Sequence, residues 1–335
     1  MNTVSIIIVS WNSKKYLPRC LESLQKQSYK DFDVIIIDNG SSDDGVIGIQ
    51  ERYADLNIQF KRLKENMGFA VANNIGVRMA RGKWFALLNT DAFPDTEWLE
   101  NLIKAAEKYP NGFFGSQQIQ ASAPAVLDGE GDVYHISGLA WRKNYASPIQ
   151  EKYEIETIFS PCAAAALYPR RQFLETGGFD EDYFSYHEDV DLGFRLRLRG
   201  LSAYYVPQAV VHHVGSASTG KLSDFSVYYG HRNLIWTYLK NMPSLLFWLF
   251  LPLHVFINLY FLGSYSLKGR GRVIWAAKRD AVKDLGKIWM KRKNIQSARI
   301  ASAGDIYQAL ERNPFSPLFV SLRKRHDDSQ RKTSL

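Results

Sequence analysis

Val34-Ile-Ile-Ile-Asp-Asn-Gly-Ser-Ser-Asp-Asp44 is a short apolar run that ends on a carboxylate and breaks into a turn. Four β-branched residues in succession read as a strand buried on both faces of a parallel sheet, with Asp38 at its carboxyl end. Val4-Ser-Ile-Ile-Ile-Val9 has the same character upstream, and between the two runs Leu17, Cys20, Leu21 and Leu24 recur at helical spacing within Tyr16 to Gln27. Downstream, a third strand is expected over Ile58 to Arg62 and a small-residue helix over Phe69 to Ala80. A fourth strand, Trp84 to Leu88, ends in Asn89-Thr90-Asp91. Strands alternating with helices predict βαβ units and a doubly wound α/β sheet.

A helix follows from Trp98 to Tyr109, then a mixed region rich in Gly, Ser, Ala and aromatics up to about Phe159, read as irregular strands and loops. Arg170 to Thr176 reads as a short helix, Val190 to Arg199 as a longer one and Tyr204 to Val211 as a closing strand. His231 to Leu239 begins another helix.

With 335 residues, 46% of them hydrophobic and 23% charged, the chain has room for roughly two domains, and wholesale disorder is excluded. Two cysteines, Cys20 and Cys162, exclude a disulfide scaffold and a Cys-rich zinc module. The first residues carry no basic region before the first strand, so a cytosolic, reducing compartment is the expectation. The net charge of +8 is uneven: residues 1–267 carry −3 and residues 268–335 carry +11. Just before that basic tail, Leu245 to Leu262 runs 18 residues without a formal charge, interrupted by Pro252, His254 and Asn258. Lys240 precedes it; Lys268, Arg270 and Arg272 follow. Residues 273–299 read as a basic amphipathic helix, with Trp275, Ile288, Trp289 and Met290 beside Lys283, Lys287, Lys291, Arg292 and Lys293. This combination suits an anionic membrane surface better than nucleic acid, with the apolar helix in-plane or re-entrant. A buried helix pair or an oligomer interface is the alternative reading. The tail after Arg323 is expected to be disordered.

Ligands of open α/β sheets bind outside the carboxyl ends of the strands, which is where Asp38 and Asp91 fall. A carboxylate there can accept hydrogen bonds from a base or ribose, and a second can hold a divalent cation over a diphosphate. Either segment alone would read as a turn. A second constellation, Gly177-Gly-Phe-Asp-Glu-Asp-Tyr-Phe-Ser-Tyr-His-Glu-Asp-Val-Asp191, crowds Glu188, Asp189 and Asp191 among aromatics. Desolvation and like charge there would raise a carboxyl pKa and make a proton acceptor. Arg195, four residues after Asp191, reads as a structural helix pair. A third group, His212-His213-Val-Gly-Ser216, follows the closing strand and offers an imidazole for a cation.

In order and wording these segments resemble the family-2 glycosyltransferases, particularly the rhamnosyltransferase-like branch that builds bacterial surface polysaccharides. The carriers are Val4 to Ser13, Ile37 to Asp43, Asn66-Met-Gly-Phe-Ala70, Leu88-Asn-Thr-Asp91, Gly178-Phe-Asp180, His187-Glu-Asp-Val-Asp-Leu192 and His213-Val-Gly-Ser-Ala-Ser218, within residues 4–240. The resemblance implies a GT-A fold, a Rossmann-like nucleotide-binding half merged with an acceptor-binding half. It further implies a catalytic unit over 1–240, membrane-associated helices over 241–322 and a basic tail over 323–335. Asp38 would bind base or ribose, with Ser10, Asn66 and Gly68 lining the nucleotide pocket. Asn89-Thr90-Asp91 stands where the family has Asp-x-Asp, which leaves Asp91 to hold Mg²⁺ or Mn²⁺ together with His213. Asp189 matches the catalytic base, with Glu188 beside it as the alternative, and Gly178, Phe179 and Asp180 fall on the acceptor side. Asn73 stands where some relatives have Arg. The processive synthases' Gln-x-x-Arg-Trp is replaced by Arg232-Asn-Leu-Ile-Trp236, so addition of a single sugar is expected.

The implied reaction is inverting transfer from a nucleoside diphosphate sugar, dTDP-rhamnose or a UDP-sugar, to a lipid-linked saccharide at the cytoplasmic face of a bacterial inner membrane. Nucleic acid is not an expected partner, and homo-oligomerisation is left open. No Gly-x-x-x-x-Gly-Lys-Ser/Thr is present, which excludes a P-loop NTPase. A membrane-tethered binding protein with a degenerate site and a nucleotidyltransferase are the competing classes.

Overall fold

The computed structural model describes residues 3–215 and 223–317. Its first half alternates β1 (Val4–Ser10), α1 (Leu17–Gln25), β2 (Phe32–Asp38), α2 (Ile49–Arg52), β3 (Ile58–Arg62), α3 (Phe69–Met79), β4 (Trp84–Leu88), β5 (Ala92–Pro94) and α4 (Trp98–Lys108). The middle is strand-rich: β6 (Gly112–Gln120), β7 (Ala123–Gly129), β8 (Asp132–Tyr134), β9 (Ala140–Arg142), β10 (Glu156–Ile158) and β11 (Ala165–Pro169). Then come α5 (Arg170–Glu175), α6 (Glu188–Leu198), β12 (Ser202–His213), α7 (Asp224–Asn241), α8 (Ser244–Tyr265), α9 (Gly271–Lys283), α10 (Leu285–Ser297) and α11 (Ala303–Ala309).

The main sheet runs β10-β12-β6-β11-β4-β1-β2-β3. β4, β1, β2 and β3 are parallel, as the apolar runs predict, and β11 is inserted antiparallel between β4 and β6. Alternation along each strand feeds two cores. Ile6, Ile8, Val34 and Ile36 pack with α1 and α4, while Ile7, Ile35, Ile37 and Phe85 pack with α3, α5 and α6. Each such side chain contributes about 1.5–3 kcal/mol by leaving water.

The region read as irregular corrects to regular structure. β6 is nine residues long and buried throughout. Its polar side chains are satisfied inside: Trp98 Nε1 donates to Ser116 Oγ at 2.8 Å and Tyr205 Oη to Gln117 Oε1 at 2.7 Å.

A third core crosses residue 240. Tyr134, Phe159, Val190, Phe194 and Leu198 pack with Tyr238, Met242, Leu246, Phe247, Ile306 and Leu310. The single helix expected over 273–299 is two helices, α9 and α10, meeting at Asp284. Gly269, at φ 78°, turns the chain between α8 and α9. Not all the basic residues here face outward. Lys291 pairs with Asp180 and Asp182, and Lys287 lies 2.6 Å from Asp182. Arg292 donates to the carbonyls of Leu239 and Met242 at 2.8 and 2.7 Å. The expected disorder after Arg323 and the Ser216-Ala217-Ser218 part of the His213 motif lie outside the described residues.

Candidate active site

Asp38 ends β2 in register with Ser10 of β1 and Arg62 of β3. It is fully buried; Oδ1 accepts from the Ser41 amide at 3.1 Å, and Arg62 Nε lies 3.1 Å from Oδ2. The Ser10 hydroxyl, 1% exposed, has no partner among the described residues. Beyond Asp38, the buried Asn39 ties two loops together. Its Nδ2 donates to Asn66 Oδ1 at 3.0 Å, its Oδ1 accepts from the Met67 amide at 2.9 Å, and Asn66 Oδ1 accepts from the Gly68 amide at 2.9 Å. Gly68 has φ 85°, and a Cβ there would lie 2.7 Å from the Phe184 ring and 2.8 Å from its carbonyl. Only glycine permits that approach. The Phe184 carbonyl accepts from the Phe69 amide at 2.8 Å, so the start of α3 is fastened to the segment leading into Glu188 and Asp189.

The end of β4 joins this pocket from the other side. Thr90 Oγ1 donates to Ser13 Oγ at 3.0 Å, and the Asn12 amide donates to Ser41 Oγ at 2.9 Å. Asp91 is 7% exposed, and its Oδ1 lies 3.4 Å from His213 Nε2. On the far side of the ring, His213 Nδ1 donates to Asp128 Oδ2 at 2.7 Å, and the same oxygen pairs with Arg142. Burial resists ionisation of Asp91, but the hydrogen bond and charge of His213 outweigh it and hold this carboxyl below its usual range. Burial likewise lowers the imidazole pKa, but Asp128 and Asp91 outweigh it and raise it.

The donor set suits a hard divalent cation. With Nδ1–H fixed on Asp128, Nε2 is directed at Asp91, and loss of the proton it shares with that carboxylate would leave its lone pair for a cation; the carboxylate–histidine pairing is one that orients metal-ligating imidazoles. Among the described residues no group of three or more His, Cys, Asp or Glu ligands is preassembled. Two protein ligands match a cation whose other positions a diphosphate fills.

The second constellation is held under backbone strain. Phe184, Tyr186 and His187 have φ of 62°, 67° and 66°, conformations costly for non-glycine residues. Asn233, fully buried on α7, holds them there: its Nδ2 donates to the carbonyls of Tyr183, Ser185 and Tyr186 at 3.1, 2.9 and 2.8 Å. Arg232 Nη2 adds bonds to Asp182 and Tyr183 at 2.8 and 3.2 Å. Out of this segment α6 starts with Glu188, which is buried, and Asp189, which is partly exposed. Asp189 accepts from the Val190 amide at 2.8 Å and the Ala163 amide at 3.2 Å. Burial raises the pKa of Asp189. Burial and then the charge of Asp189 push Glu188 well above the usual carboxyl range.

Further along α6, Asp191 is structural. It pairs with Arg195 at 2.8 Å, as the spacing predicts, and with the buried Lys240 at 2.9 Å.

The acceptor-side assignment of Gly178, Phe179 and Asp180 needs correction. The Phe179 ring is 1% exposed in the second core, its amide and carbonyl are bound by Asn74, and Asp180 is paired with Lys240 and Lys291. These residues brace the site rather than face a ligand. Asn73 turns its amide back to the Phe69 carbonyl at 2.9 Å. His212, on the opposite face of β12 from His213, lies 3.3 Å from Asp95 in a separate groove lined in part by Arg19 and Phe93. Asn39, Asp128, Asp132, Arg142 and Asn233 are site-forming residues that sequence reasoning missed. Their roles depend on contacts across 14 to 85 positions, and the only sequence signal was Asn39 within Asp-Asn-Gly-Ser.

Comparison with known proteins agrees with this geometry. The family model for glycosyl transferase family 2 matches residues 5–175. An N-acetylglucosaminyl-diphospho-decaprenol L-rhamnosyltransferase of Mycobacterium tuberculosis is 28% identical over 250 residues, covering 66% of this chain and 78% of its own. Among solved structures, GalNAc-T7 with UDP, GalNAc and Mn²⁺ aligns with TM-score 0.59 at 17% identity, over 71% of this chain and 47% of its own. The mannosyltransferase PcManGT of Pyrobaculum calidifontis, in complex with GDP-Man and Mn²⁺, aligns with TM-score 0.52 at 16% identity, over 89% and 86%. These likenesses mark the GT-A fold. With strand-end acids on such a sheet and the family model spanning both nucleotide loops, the chain belongs to glycosyl transferase family 2 and is a glycosyltransferase.

Proposed function

We propose that this enzyme adds a single sugar, with inversion, from a nucleoside diphosphate sugar to a hydroxyl of a lipid-linked saccharide in bacterial envelope polysaccharide synthesis. The carrying observation is one connected set of contacts at the carboxyl ends of the strands. Asp38, Ser41 and Asn12 lead to Ser13, Thr90 and Asp91; Asn89 then leads through the 163–164 segment to Asp189. Nucleotide pocket, cation ligands and base therefore share one frame. The name of the mycobacterial relative favours a polyprenyl diphosphate-linked acceptor and L-rhamnose as the sugar transferred; of the donors the sequence resemblance implies, this puts dTDP-rhamnose first and UDP-sugars next.

In this mechanism Asp38 and the Asn39–Asn66 clamp receive the nucleoside. Asp91 and His213 would hold Mg²⁺ or Mn²⁺, which when bound supplies Lewis-acid stabilisation of the leaving diphosphate. Asp189 is the base: it is more exposed than Glu188, and two backbone amides fix its carboxylate while a lone pair on each oxygen stays available. It accepts the acceptor hydroxyl's proton as the oxygen attacks the anomeric carbon and the diphosphate departs on the opposite side. Glu188, kept neutral by burial, adds no competing negative charge.

The carboxy-terminal helices supply the membrane contact in this reading. His254 and Asn258, which as sequence argue against a straight span through the bilayer core, point inward: His254 Nδ1 donates to the Ser137 carbonyl at 2.8 Å, and Asn258 bonds to the His254 carbonyl at 2.8 Å. Leu245, Trp248, Leu249, Val255, Phe256, Leu259 and Tyr260 form an exposed stripe on the other face. α8 is long and apolar enough to cross a membrane, yet a one-sided stripe favours an in-plane helix on the cytoplasmic leaflet.

Labelled dTDP-rhamnose and UDP-sugars, offered with polyprenyl diphospho-N-acetylglucosamine with and without EDTA, test the reading. Transfer with an inverted anomeric centre supports it. Nucleotide binding without transfer would favour a binding protein, and pyrophosphate release a nucleotidyltransferase.

A further inference from the structure

Arg142 closes the short ribbon β8–β9, in register with Asp132 across it. Its guanidinium pairs with Asp128 Oδ2, the oxygen that takes the Nδ1 proton bond of His213. Its charge also acts on Asp132 and Asp189. The side chain is 31% exposed, whereas Asp128 and His213 are 8% and 3% exposed, so Arg142 stands at the open edge of a buried polar chain. Gly129 leaves the lane for it: a Cβ there would sit 3.3 Å from the Arg142 Cβ and Cδ. Asp91 and Asp128 thus flank the His213 ring, and Arg142 closes the row from the Asp128 side.

We propose that Arg142 is a positioning residue of the site, orienting the His213 ring through Asp128. The inference rests on the reading of Asp91 and His213 as cation ligands. A planar fork can hold Asp128 in one orientation, which a lysine ammonium cannot reproduce. Loss of an outer partner of a ligating histidine typically weakens metal affinity about 10- to 100-fold.

The test measures Mn²⁺ affinity by electron paramagnetic resonance on the full chain, with UDP or dTDP as probes, alongside kcat and KM. Arg142→Ala should raise the Mn²⁺ dissociation constant about 10- to 100-fold and lower kcat, with nucleotide affinity in EDTA retained. Arg142→Lys should recover part of the loss, and Asp128→Asn, which keeps an acceptor oxygen for His213, should fall between. In the Arg142→Ala, Asp128→Ala pair the losses should not multiply, because both act through one ring. Mn²⁺ affinity within twofold of the parent in Arg142→Lys and Arg142→Ala, with parental binding intact, would overturn the proposal alone. Absence of Mn²⁺ binding by the parent with either nucleotide would overturn the cation reading and this inference with it.

Discussion

The backbone amide of Ala163 donates to Asp189 Oδ2 at 3.2 Å, and the next residue's carbonyl accepts from the Asn89 amide at 2.9 Å. Adjacent residues therefore set Asp189 relative to the strand end that carries Asp91. Catalysis gains from such fixed geometry because the acceptor oxygen must meet the base and the anomeric carbon together.

Asp189→Asn should lower kcat by about 10²–10⁴-fold, the usual worth of a general base. The amide still accepts from Ala163, so affinity for UDP or dTDP should change little. Glu188→Gln, conservative for a carboxyl already kept neutral, should cost less. Parental turnover by Asp189→Asn in a sugar-transfer assay would refute the assignment.

Asn233→Ala should unfasten the strained turn before α6. The Ser185 and Tyr186 carbonyls lose their side-chain donor, while Tyr183 keeps its bond from Arg232, and one such loss costs about 1–3 kcal/mol. Part of the effect should appear in function: with the turn at Phe184 to His187 relaxed, kcat should fall more than nucleotide affinity. A lower unfolding midpoint with unchanged kcat would show that Asn233 serves stability alone.

Asp180 and Asp191 make stability pH-dependent. Burial opposes their ionisation, but Lys240 and Lys291 beside Asp180, and Arg195 and Lys240 beside Asp191, depress both carboxyl pKa values. A depressed folded-state pKa gives stability that is present above the unfolded value of about 3.9 and lost as pH falls below it. Lys240→Met removes one of the two cations beside each carboxylate, leaving Lys291 on Asp180 and Arg195 on Asp191, so at pH 7 it should cost less than the about 3–5 kcal/mol of a fully stranded buried charge, and less still below pH about 4, where the carboxylates take up protons. Urea unfolding at pH 7 and pH 3.5 reads the difference; equal losses at both would contradict it.

The first half was legible because β1 and β2 carry their burial in sequence as runs of Val and Ile, and the acid at the end of β2 follows from that alone. β6 was not legible. Its Ser116, Gln117, Gln118 and Gln120 look exposed, and it takes their partners on other elements, Trp98, Tyr205 and the carbonyls of Cys162 and Leu127, to show why they can be buried. Asp128 and Arg142 fared the same way, since their pairing requires the ribbon to fold first. Gly178-Phe179-Asp180 misled in the opposite direction. A motif can be functional by bracing, and sequence does not separate bracing from ligand contact.

The amphipathic reading of the basic tail also changes with structure, and this separates two kinds of lysine. Lys287 and Lys291 are committed to Asp180 and Asp182, whereas Lys268 and Arg272 lie exposed near the end of the apolar stripe of α8. Only the second kind is placed to gain about 1 kcal/mol each from anionic lipid. Lys268→Gln with Arg272→Gln should therefore weaken sedimentation with vesicles containing phosphatidylglycerol, more so at low salt, while Lys287→Gln should leave it near parental and instead lower thermal stability slightly. Replacing Trp248 or Phe256, 65% exposed each, by Ser should weaken binding to neutral and anionic vesicles alike, by about tenfold or more per ring if it is buried in lipid. Donor-nucleotide affinity should stay unchanged throughout, because the stripe lies on the face of α8 turned away from the third core. If Trp248→Ser and Phe256→Ser bound vesicles as the parent does while shifting the sedimentation coefficient, the stripe would be an interface between copies of the chain rather than a membrane contact.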